Sequence, residues 1–169
     1  MWRGMVGVAL AAFAAAGADT VAAQSGSPAV RPEDAGIRAL IASGMERSAT
    51  FSDLNARLEK GDVIVYVRFS RCAGGVAACL VWTSARADTR RLLIKVDRFG
   101  RSPNELTALL AHELQHALEI AEAPDVIDLP SFRHFYMSTG RPAIEGYETD
   151  AAIRVARTVA SELANRRPR

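Results

Sequence analysis

A single capped helix in the second half of the chain constrains the fold more than any other feature. Ser102-Pro103-Asn104-Glu105 joins a capping hydroxyl, a proline at the first helical position and a glutamate three residues after the cap. The hydroxyl and the carboxylate satisfy orphan backbone donors, and proline has no donor to lose. The pattern predicts a helix running to about Ala123, where Pro124 stops it. Inside it stands His112-Glu113-Leu114-Gln115-His116. Histidines four apart project from one face, one turn apart, and can share one metal ion. The chain has three histidines and this motif uses two of them. Glu113 adjoins the first, placed to serve a hydrolytic water as base and then acid without ligating.

Such a site needs another protein ligand, and Glu119, Glu122, His134, Glu145, Glu148 and Asp150 are the candidates. Glu119 lies on the motif's face but ~10 Å along the axis from His112, too far to share an ion with it. It can instead orient His116 from behind. A last helix is expected over about Tyr147 to Asn165, with Ala152, Val155, Ala156, Val159 and Leu163 as its apolar stripe. Glu148 extends that stripe inward, whereas Asp150 falls opposite and four before Arg154, the spacing of an exposed ion pair. A carboxylate at the inner end of a core stripe needs a partner. Glu148 is therefore the expected third ligand, with Asp150 second and His134 or Glu145 third.

The rest of the chain reads as follows. Met1-Trp2-Arg3, an uncharged run to Ala18 and Val21-Ala22-Ala23 form the pattern of a secretory signal over residues 1–23, with cleavage before Gln24. The run is short for a bilayer span, so no stable membrane insertion is expected once it is removed. Residues 24–31 read as a flexible lead-in and residues 166–169 as a basic tail. Pro32-Glu33-Asp34 suits a helix start, followed by Ile37, Leu40, Ile41 and Met45 at helical spacing. Ser52-Asp53-Leu54-Asn55 suits a second. Val63–Phe69, Leu80–Thr83 and Leu92–Val96 are β-branched and apolar, and their short connections predict an antiparallel meander of about three strands. Cys72 and Cys79 flank the first connection, and an exported chain is expected to oxidise them to a hairpin-stapling disulfide. The long connection from Pro124 to Gly146 is expected to hold a short helix at Ser131–Met137.

The motif helix with a later glutamate resembles the gluzincin branch of the zincin metallopeptidases. That resemblance extends over about residues 63–163. It implies an α+β, zincin-like single domain over residues 32–165, its small sheet packed on the motif helix and a C-terminal helix. It implies one zinc ion on His112, His116 and Glu148, with Glu113 catalytic, and a peptide or protein substrate laid along a sheet edge. Two departures narrow it. Ala152 stands where thermolysin-like enzymes carry an acid four residues after the third ligand. Glu119 and Glu122 stand where the metzincin extension needs Gly and His, which excludes that branch. Tyr147, His134 and Tyr136 are candidate donors to the oxyanion. The alternative to an enzyme is a binding or inhibitory module in which zinc only staples helices. A net charge of +2, from 21 basic and 19 acidic residues, is too weak an electrostatic footprint for nucleic acid. The expected location is periplasmic or extracellular.

Overall fold

The computed structural model describes residues 28–86, 88–143 and 146–165. Residues 1–23, read above as a secretory signal, the start of the expected lead-in, Glu145 and the basic tail lie outside those residues. In chain order the elements are β1 (Val30–Pro32), α1 (Ala35–Arg47), α2 (Ala49–Leu58), β2 (Val63–Phe69), β3 (Ala78–Arg86), β4 (Thr89–Val96) and α3 (Pro103–Ala121). Then follow α4 (Leu129–Thr139), β5 (Arg141–Ala143), β6 (Gly146–Glu148) and α5 (Asp150–Asn165).

The fold is α+β, but its sheet is mixed rather than an antiparallel meander. The strand order is β1-β2-β4-β3. β1 and β4 run parallel to β2, and only β3 runs antiparallel to β4. The segment after β2 therefore steps past the place β4 will take, and β4 returns between β2 and β3. Crossing two strand spacings needs only ~10 Å, well within the reach of the residues joining Phe69 to Ala78. Cys72 and Cys79 are bridged as expected, but the bridge staples this crossing and not a hairpin, because β4 separates β2 from β3. The disulfide ties the crossing segment to the start of β3, one of the sheet's two edge strands.

β1 falls in what reads as lead-in and helix start. Pro32 belongs to this edge strand, where its missing N–H leaves no ladder bond broken. Asp34 caps α1 instead, accepting the Ile37 N–H at 2.9 Å. Ser48, not Ser52, opens α2 by accepting the Phe51 N–H at 3.0 Å. Phe51 then packs on Gly44 so closely that a Cβ there would lie 2.8 Å from its ring.

The sheet buries one face by alternation, broken in β4 only by Leu93, which is also buried. Val63, Val65 and Val67 of β2 and Leu92, Ile94 and Val96 of β4 are shielded from solvent. The helices cover that face, and α3 lies at the centre. Leu106, Leu110, Leu114, Leu118 and Ile120 are all buried, and so are Glu113, Gln115 and His116. A helix buried on nearly every side must satisfy its own ends. At its start Ser102 and Glu105 form the expected capping box, the Ser102 N–H donating to the Glu105 carboxylate at 2.7 Å. At its end the guanidinium of Arg90 donates to the carbonyls of Ile120, Ala121 and Ala123 and pairs with Asp62. Among the described residues, no helix is long and apolar enough to cross a membrane.

Candidate metal centre

The motif helix presents its two imidazoles as the four-residue spacing requires. Their ring centroids lie 4.9 Å apart, edge to face. The Oε2 of Glu148 sits 2.8 Å from His112 Nε2 and 3.8 Å from His116 Nε2. One ligand atom from each of the three residues falls within 4.8 Å of the others. That Oε2 is buried, yet it has no hydrogen bond of acceptable geometry. A buried, unsatisfied carboxylate oxygen is costly unless something else answers it. Two imidazole nitrogens and one carboxylate oxygen turned to one point form a donor set that a divalent cation satisfies. The three residues could hold a metal ion.

Glu148 was expected on the C-terminal helix, and that placement is corrected. It ends β6, the second strand of a small antiparallel hairpin with β5. α5 begins only at Asp150, because Thr149 caps it: the Ala152 N–H donates to Thr149 Oγ1 at 3.2 Å. The inner stripe of α5 is as expected, with Ala152, Val159 and Leu163 buried. Asp150 stands apart from the centre and pairs with Arg141 at 2.5 Å rather than with Arg154. Glu122 is engaged by Arg57 at 2.5 Å, and His134 is exposed on α4. Glu145 lies outside the described residues. The helix in the long connection is longer than expected, spanning Leu129–Thr139, and the hairpin after it had no counterpart in the sequence reading.

Behind the ligands lies a relay that sequence reasoning found only in part. His116 Nδ1 meets Glu119 Oε2 at 3.0 Å, as the helical spacing anticipated. Thr149 Oγ1 donates to Glu119 Oε1 at 2.6 Å. The residue after the third ligand thus holds the acid that orients the second. A threonine directly before Asp150 is an N-cap signal, and it would have set the helix start correctly. The His116 carbonyl accepts the Tyr136 hydroxyl at 2.8 Å, which commits Tyr136 to a structural bond.

Charge at the centre follows from burial and contact. Burial pushes the Glu113 carboxyl up to about 7. The two histidines and the Leu80 backbone N–H oppose that rise, and the Glu148 carboxylate adds to it. Burial alone would lower His116, but its contacts with Glu119 and Glu148 outweigh it and raise it to about 9. Contact with His112 and then His116 holds Glu148 down at about 2, against its partial burial.

The centre opens on a cleft of about 370 Å³. Ala78, Cys79 and Leu80 of the outer strand β3 form one wall, and Phe132, Tyr136 and Met137 of α4 form the other. Glu113, His116 and Glu148 lie between them, and Tyr147 also lines the space. His134 is not among the lining residues. Edge-to-face and tilted ring contacts run from Trp82 to Phe132, Tyr136 and His116, so the α4 wall is braced to both the sheet and the centre. No protein-family model, curated protein or solved structure matches the chain.

Proposed function

We propose that this chain is an exported zinc-dependent hydrolase, and specifically a peptidase of the zincin type. The convergence of His112, His116 and Glu148, with Glu113 buried beside them in an open cleft, carries this reading. A bound zinc ion supplies Lewis-acid polarisation of water and of the scissile carbonyl. Glu113 takes a proton from the attacking water and returns it to the leaving amine. In the metal-free centre burial already raises the Glu113 carboxyl to about 7, the direction a group that both takes and returns a proton requires. His116 is held in one orientation by Glu119, so its Nε2 faces the ligand point. β3 offers the cleft an outer strand whose backbone suits pairing with an extended peptide. The disulfide and the leader-like first residues support an oxidising, extracytoplasmic location.

A purely structural zinc staple would call for a fourth protein ligand. Among the described residues the ligand group is a triad, and Glu119 meets His116 at Nδ1 while Glu148 approaches Nε2. That arrangement favours an open position and hence catalysis.

The deciding measurement compares the native chain with Glu113→Gln for zinc content and for hydrolysis of casein or a quenched peptide mixture. Equal zinc with turnover reduced by about 10²-fold or more is expected. Undiminished turnover would refute the role given to Glu113, and failure of the native chain to retain zinc would refute the centre.

A further inference from the structure

The α4 wall of the cleft has two rows. Phe132 and Tyr136 form the inner row, tied to Trp82 and His116 by their rings. Arg133 and Met137, one residue further along each turn, form the outer row, and both are solvent-exposed. Both also line the cleft.

The charged side chains around this space are unequally distributed. Its carboxylates, Glu113 and Glu148, face the ligand point together with His116. Arg133 is the lone arginine or lysine among the described lining residues. It makes no ion pair or hydrogen bond with any described residue. The arginine nearest along the chain in the adjoining hairpin, Arg141, is already paired with Asp150. A guanidinium stays charged at every working pH and offers a planar fork of donors that matches a carboxylate in two parallel bonds. An ion held by His112, His116 and Glu148 would be occupied with the scissile group, which leaves the Arg133 guanidinium as the positive side chain facing the α4 side of the cleft.

We propose that Arg133 selects substrates carrying a carboxylate beside α4, either an acidic side chain or the C-terminus of the peptide itself. The apolar inner row takes the body of that residue and Arg133 takes its charged end. This rests on the peptidase reading of the same cleft, and it adds the substrate class.

Binding tests it without requiring turnover. Zinc-loaded Glu113→Gln chain is titrated with short fluorescent peptides that differ at one position, Glu, Gln or Lys, each with a free or an amidated C-terminus. The acidic or free-carboxylate peptides are expected to bind about tenfold more tightly than their neutral counterparts, as a charge-assisted bidentate contact warrants. Arg133→Gln should erase that ratio, and Arg133→Glu should turn it towards Lys. Sensitivity to amidation identifies capture of the C-terminus, and sensitivity to the side chain identifies an internal acidic residue. Equal binding of all peptides, absence of binding, or an acidic preference that survives Arg133→Glu overturns the proposal. Hydrolysis of the same peptides by the native chain is scored separately. Acid-selective binding without cleavage refutes the peptidase reading and leaves Arg133's role standing, whereas cleavage blind to charge does the reverse.

Discussion

The hydroxyl of Thr149 serves two partners at once. It donates to Glu119, which orients His116, and it accepts the N–H that begins α5. Thr149→Val keeps the shape and removes both bonds. Zinc affinity should fall by about 10- to 100-fold, as for other supports of a ligating histidine. Stability should fall by about 1 kcal/mol from the lost cap. Competition with a chromophoric chelator and a urea titration read the two effects, and Thr149→Ser should restore both. Protons compete for the same nitrogens. His116, raised to about 9, is protonated at neutral pH in the metal-free chain and must release that proton to ligate. Affinity should therefore rise about tenfold per pH unit between 7 and 9 and flatten above that. Glu148, held near 2, is already ionised across this window and contributes no slope. A flat profile would show that His116 is already neutral at pH 7 in the metal-free chain, against the rise its contacts with Glu119 and Glu148 produce.

Elements explain which parts of this arrangement could be read from sequence alone. The α3 helix was legible because its signals are local: a cap, a proline, a glutamate and two histidines within one periodic run. The disulfide was legible because two cysteines seven residues apart flank one short connection. Strand order was not, since β2-β4-β3 and β2-β3-β4 are both compatible with short connections and identical apolar strands. The hairpin that carries Glu148 was missed because its strands are three residues each, too short for a period of two to register. Glu148 was thus identified for a reason the structure corrects. The expectation that it needs a buried partner survives, but the helical face that suggested it does not. The Arg90 contacts were also invisible, because they join β4 to the end of α3 across the fold. Arg90→Met should cost about 3 kcal/mol in a urea titration, since it orphans several carbonyls while exposed Asp62 is left free to hydrate. Replacing Cys72 and Cys79 together by Ala should cost about 2–3 kcal/mol on the chain-entropy estimate for so short a loop. Because Cys79 forms part of the cleft wall, the same variant should weaken peptide binding as well.

For the whole molecule, the centre joins parts that otherwise touch little. Two ligands belong to the buried helix at the middle of the core, and the third comes from a small hairpin outside the main sheet. Zinc at a hundredfold excess over its dissociation constant should raise unfolding stability by about 2.7 kcal/mol, seen as a higher melting temperature that chelation reverses. The hairpin's own ties to the body include an exposed Arg141–Asp150 pair and the Thr149 bond next to its end. Without a cation this corner keeps few ties to the rest of the described residues, so a protease added to chelated protein should nick it before the described helices and the main sheet. Susceptibility to cleavage at that corner would then track the supply of the ion, and a molecule starved of it would be cleared from the hairpin inward.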